Sequence, residues 1–212
     1  MTFPNAFSGV KKIFTAQVLM LIGTILLAIV GVSAGAVVSS GASISINVGA
    51  GLGAGAAAVA LISAILILVA YVMNLVGLYQ SGKDEARYLK PAFIISIIVL
   101  ILAIIGGFFS DNLSVQTTIR TISSVAQLIV MILTIIGIGE LAKQLNQMQV
   151  ASFGNKVLIL VIVGQVISLI AGIIGSGNAA VAVAFVGSIF TIIAYVAFIV
   201  FLSKGKNMLS AF

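Results

Sequence analysis

What most constrains this chain is a series of six apolar stretches, each long enough to cross a bilayer. A hydrocarbon core of about 30 Å takes roughly 20 apolar residues in helical form. Lipid offers no partner to a free backbone N–H or C=O, so each stretch must satisfy its own backbone as a helix. The stretches cover about 13–38, 56–79, 91–109, 121–141, 157–175 and 179–202. Composition leaves no soluble alternative. Charged residues make up 7% of the 212-residue chain, against about 25% in a soluble globule, too little to wet a surface. The expected fold is an all-α integral membrane protein of one domain, residues 1–212. Pro91 fits a first helical turn, where its missing N–H is harmless.

Charge then orients the spans. Lys11 and Lys12 precede the first stretch, and Lys83, Arg87 and Lys90 separate the second from the third. Lys143 and Lys156 flank the fourth connection to the fifth, and Lys204 and Lys206 follow the sixth. If the spans alternate, all of these share one side, and Arg120, near Asp111, is alone on the other. The positive-inside rule makes the shared side cytoplasmic, with both termini there. The net charge of +6 is therefore chiefly an orientation signal facing anionic headgroups. It is too sparse for a nucleic-acid surface, so no nucleic-acid partner is expected. Lys11-Lys12 and Val32-Ser33-Ala34 have the outline of a signal peptide and its cleavage site. The apolar run exceeds the usual length of about 7–15 residues, and the repeat described next needs this helix, so it is read as retained.

The second stretch matches the sixth without a gap. Ala56, Ala58, Val59 and Ala60 fall on Ala180, Ala182, Val183 and Ala184, and Ala70-Tyr71-Val72 falls on Ala194-Tyr195-Val196. The first matches the fifth through Gln17-Val18 with Gln165-Val166 and Leu21-Ile22 with Leu169-Ile170, and the third joins them with Ser96 against Gln165. The chain thus reads as three tandem helical hairpins, about 11–82, 88–146 and 153–206, forming a parallel internal repeat. The first hairpin carries an extra Gly/Ser-rich outer segment, about 33–55. Its composition favours a flexible linker, and insertion at a binding face is the alternative. Gly49, Gly51, Gly53 and Gly55 lack the following Gly-Lys-Ser/Thr of a phosphate loop. Gly31 and Gly35, Ala56, Ala60 and Ala64, and Ala180, Ala184 and Ser188 follow the small-xxx-small pattern of close helix contacts.

The chain has no His and no Cys, which removes the commonest general base and the thiol nucleophile. No nucleophile–base pair can be assembled, and neither an enzyme nor a cofactor or metal site is expected. Function is sought at intramembrane polar groups: Gln17, Asn74, Ser96, Gln127 and Gln165, with Tyr71 and Tyr195. Gln17, Ser96 and Gln165 hold matched repeat positions and would aim at a common point if the repeat closed on itself. Hydrogen bonding between neighbouring helices is the favoured reading. Glu140 is the sole acid within a span. It lies about 30 Å along the helix from Arg120, so the two mark opposite interfaces, with Lys143 in reach for an i,i+3 pair. A carboxylate facing a cavity is the alternative. Asp84, Glu85, Arg87 and Lys90 form a mixed-charge turn expected to neutralise itself in water. Asn112-Leu-Ser114 has the form of a glycosylation acceptor. Phe3, Phe7, Val10 and Phe14 recur at helical spacing, as in a segment lying along the interface.

The stretch Asn74-Leu-Val-Gly-Leu-Tyr-Gln-Ser-Gly-Lys-Asp-Glu, with Tyr88-Leu-Lys-Pro-Ala-Phe and the opening Phe3-Pro-Asn-Ala-Phe7-Ser-Gly-Val-Lys-Lys, resembles a group of uncharacterised six-span integral membrane proteins of Gram-positive bacteria and archaea. The resemblance implies a prokaryotic cytoplasmic membrane and no particular activity or site. The expected role is a non-catalytic membrane scaffold or the membrane subunit of a larger assembly, in contact with lipid and with another membrane protein or a second copy of itself. The alternative is a small transporter or channel with a polar site in the cytoplasmic half, built from Gln17, Asn74, Ser96, Glu140 and Gln165.

Overall fold

The computed structural model describes residues 3–33, 54–109, 113–174 and 178–211, and every apolar stretch in it is helical. The helices are α1 (Pro4–Ser33), α2 (Ala54–Asp84), α3 (Leu89–Phe108), α4 (Leu113–Gln144), α5 (Met148–Ile174) and α6 (Asn178–Ser210). Among the described residues there is no strand, and six helices are long and apolar enough to cross a membrane. The chain is a multi-pass membrane protein. Residues 34–53 of the Gly/Ser-rich segment, Asp111, Asn112 and the Gly31–Gly35 pairing fall outside the described residues, as do the side chains of Arg120, Ala180 and Ala184.

Each helix packs against its neighbours in sequence, and α1 closes on α6, so the six form a ring in chain order. The two described ends of the chain meet at one end of this ring, where Asn5 bonds to Asp84 and Lys206 lies 4.7 Å from the Phe14 ring centre. The basic residues other than Arg120 belong to that same half. A buried hydrophobic cluster sits there too, joining Val10 and Ile13 of α1, Leu78 of α2, Leu89 of α3, Ile138 and Leu141 of α4, Val157 of α5 and Phe201 and Leu202 of α6. Towards the other end Ile104, Phe108, Ile122, Val125, Phe185 and Ile192 are exposed, as suits side chains whose solvent is hydrocarbon.

The helices run further at the basic end than hydropathy indicates. α1 begins at Pro4, not near Ile13, and α5 begins at Met148, not near Val157. Hydropathy registers the oil-soluble part of a helix; these added turns are held by packing, with Ala6 and Val10 fully buried. The aromatic residues at 3, 7 and 14 therefore do not form a separate interfacial segment. They belong to the entry and first turns of α1 and pack against the core.

The mixed-charge turn also differs from its expected role. Glu85 is 6% exposed and accepts hydrogen bonds from the backbone N–H groups of Tyr88 (2.8 Å) and Leu89 (3.1 Å) at the start of α3. Asp84 accepts from Ala6 N (2.7 Å) and from Asn5 Nδ2 (2.9 Å) at the start of α1. The residues directly before Pro4 and Leu89 are Phe3 and Tyr88, whose side chains do not cap a helix, and a carboxylate at an uncapped N-terminus satisfies free N–H groups and the positive end of the dipole. Capping outcompetes a screened ion pair with Arg87 or Lys90. At the other basic-end turn, Asn146 has φ 57°, with Asn146 N bonded to Lys143 O and Gln147 N to Ala142 O. This is a Schellman ending that uses Asn in the left-handed region.

Candidate functional site

Three polar features occur in the membrane-spanning region: a cluster shared by α1, α2 and α6, a second contact between α2 and α3, and a small cavity beside α5. In the first, the Tyr195 hydroxyl lies 3.1 Å from the Gln17 backbone carbonyl and 3.0 Å from Gln17 Oε1. A phenol has one proton to give, so these two oxygens of one residue share it. Gln17 Nε2 in turn donates to Asn74 Oδ1 at 3.5 Å. Three helices are thereby linked in a directed chain, from Tyr195 through Gln17 to Asn74.

The second contact joins α2 to α3. Tyr71 donates to the Ser96 carbonyl at 2.6 Å, and the buried Ser96 hydroxyl donates to Ala92 O at 2.9 Å within its own helix. Ser96 therefore directs its hydroxyl along α3. The Ser63 and Thr134 hydroxyls bond back one turn in the same way.

Gln165 has neither arrangement. Among the described residues its side-chain amide carries no hydrogen bond, and it borders a cavity of about 50 Å³ lined by Met131, Val161, Gln165, Thr191, Ala194 and Tyr195. Tyr195 thus bonds to one glutamine, Gln17, and shares the cavity lining with the other. Glu140 is apart from all of these. It pairs with Lys143 at 2.7 Å and is 35% exposed at the basic end, as its i,i+3 spacing suggests.

Near the basic end α1 and α2 touch backbone to backbone. A Cβ placed on Gly9 would sit 2.5 Å from Gly77 O and 2.6 Å from Ser81 N, and one on Gly77 would sit 2.7 Å from Gly9 O. Ser81 Oγ is buried at this crossing without a conventional partner. Beside the crossing, Lys12 Nζ (2.9 Å) and Ser8 Oγ (3.1 Å) both donate to Gln80 Oε1. These residues carry no signal in the sequence, except that an α1 start without its own cap must find one elsewhere. Cations at this end lie over aromatic rings: Lys83 over Tyr79, Arg87 over Tyr88, and Lys204 over Phe153. Comparison with protein-family models, with curated proteins and with solved structures gives no match.

Proposed function

We propose that the protein is a non-catalytic scaffold of a prokaryotic cytoplasmic membrane, or the membrane subunit of a larger assembly. It is built as three helical hairpins with both termini in the cytoplasm. One observation carries this reading: four of the polar side chains singled out within the spans are engaged between helices. Tyr195, Gln17 and Asn74 tie α6 to α1 and α2, and Tyr71 ties α2 to α3. A solute pathway needs polar groups free to meet the solute at membrane depth, whereas interhelical bonds of about 0.6 kcal/mol each fix helices in place.

The hairpin repeat is supported by the tyrosine contacts. Tyr71 and Tyr195 hold matched positions, and so do their acceptors, Ser96 and Gln17. Laying α2 on α4 so that Gly77 meets Gly137 and Lys83 meets Lys143 brings Leu78 onto Ile138. Both are fully buried, as is Leu202 at the corresponding place in α6. The cytoplasmic assignment follows from the basic residues at the end where the termini meet. Cations resting on rings there, without a carboxylate partner, keep their charge for anionic headgroups, at about 1 kcal/mol for each Lys or Arg near the surface. The partner on this reading is another membrane protein or a second copy of the chain.

A small transporter is the second reading, favoured by the cavity beside Gln165. Purified protein in liposomes loaded with a pH- or sodium-sensitive dye separates the two. The scaffold reading expects no proton- or sodium-coupled flux from the wild type or from Glu140→Gln. A wild-type flux abolished by Glu140→Gln would replace it with the transporter.

A further inference from the structure

We propose that the cavity between α4, α5 and α6 is a binding site for water at the depth of the bilayer midplane. Its depth is set consistently by three helices. Met131, Gln165 and Tyr195 each lie nine residues from a charged residue of the basic end, respectively Glu140, Lys156 and Lys204. At 1.5 Å per residue that is about 13 Å, nearly half of a hydrocarbon core.

The lining defines the ligand. Nothing charged faces the cavity, so an ion would find no counter-charge at a depth where an unpaired charge is costly. Thr191 gives its proton to Gly187 O at 2.9 Å, and Tyr195 gives its proton to Gln17. With their protons committed, either hydroxyl can meet a molecule in the cavity only as an acceptor. Among the described residues the Gln165 amide has no partner, and it offers two N–H donors and a carbonyl. The complement is a small uncharged molecule with at least two protons to donate and a lone pair to accept. Water has this valence. A volume of about 50 Å³ exceeds the roughly 10–15 Å³ that one water requires, and Gln165, Thr191 and Tyr195 among the lining residues supply the two to four polar partners that a held water needs.

The repeat gives the site a second rationale, which rests on the hairpin reading above. At two seams between hairpins a tyrosine hydroxyl meets a backbone carbonyl, Tyr71 with Ser96 and Tyr195 with Gln17. At the third seam the matched residues are Met131 and Gln165. Methionine brings no hydroxyl, and the cavity lies beside these two residues. Water supplies there the hydroxyl that the chain does not.

The test is radiolytic hydroxyl-radical footprinting of the full chain in lipid nanodiscs. Radicals formed from a bound water oxidise the nearest reactive side chain, and Met131 lines the cavity. Met20 and Met73, half-buried in α1 and α2, serve as internal controls. Met131 is expected to oxidise several-fold faster than either control. The excess should disappear in Gln165→Leu, or in Thr191→Val if the first variant does not fold. Oxidation of Met131 no faster than the controls would overturn the proposal, as would an excess that survives both substitutions. Either result leaves the scaffold reading standing, because that reading is tested by flux.

Discussion

The tight backbone contact between α1 and α2 at Gly9 makes Gly9→Ala a severe test of the packing. The new methyl would lie 2.5 Å from Gly77 O and 2.6 Å from Ser81 N, both main-chain atoms that no rotamer change can move aside. Restoring ordinary contact, at about 3.5 Å, requires the helices to part by roughly an ångström at the crossing. Overpacking of this kind costs about 1–3 kcal/mol, and Ala returns up to about 1 kcal/mol through helix propensity. A net loss of about 1–2 kcal/mol is expected. At roughly 2–4 °C per kcal/mol for a chain of this size, the apparent Tm in detergent should fall by about 2–8 °C at a fixed scan rate. Gly139, where an added Cβ meets nothing within 4 Å, is the control, and Gly139→Ala should be neutral or stabilising. Ser81→Ala alone should cost little, since it removes a buried hydroxyl that has no conventional partner. Combined with Gly9→Ala it should not restore stability, because the clash with the Gly77 and Ser81 main chain remains. A Gly9→Ala protein as stable as wild type, or full rescue by Ser81→Ala, would refute the described crossing.

Three further outcomes are expected. Asp84→Ala should lower stability by about 0.5–2 kcal/mol, the usual worth of an N-cap; Asp84→Asn should lose less, and equal loss in thermal unfolding would argue against capping of α1. Tyr195→Phe should cost about 0.6 kcal/mol and should couple to Gln17→Leu in a double-mutant cycle, whereas additive effects would dissolve the bond between them. Glu140→Gln should shift stability by no more than about 0.5 kcal/mol, because its partner Lys143 is exposed and the pair is screened; a larger loss in the same unfolding assay would place the carboxylate in a less solvated setting.

The spans were legible because lipid imposes a length and a composition that few other demands can imitate. Their ends were not, because beyond the hydrocarbon a helix continues wherever packing and caps permit. The cap of α1 comes from Asp84, 78 residues away from Ala6, and local sequence holds no record of that pairing. Glu140 and Lys143 were legible as a pair because their contact lies within one helical turn. Gln17, Asn74 and Tyr195 stood out as polar residues in apolar helices, but which of them would bond depends on which helix faces meet. Small-residue spacing drew attention to Gly31 and Gly35, while the tight crossing uses Gly9 and Gly77 on separate helices. Spacing within one helix does not identify the face it presents. Met131 and Thr191 have no distinguishing feature until the ring brings them beside Gln165.

A six-span bundle whose basic end faces the cytoplasm is tested most directly by sided labelling of single cysteines. The chain has no native Cys, so each introduced thiol reports alone. Gly55 and Ser114 are exposed at the end opposite the basic residues, near the starts of α2 and α4. Lys206 lies near the end of α6, at the basic end. With a membrane-impermeant maleimide on intact cells, Gly55→Cys and Ser114→Cys should react, and Lys206→Cys should react only after permeabilisation. Labelling of Lys206→Cys in sealed cells, with Gly55→Cys and Ser114→Cys protected, would invert the topology and contradict the account.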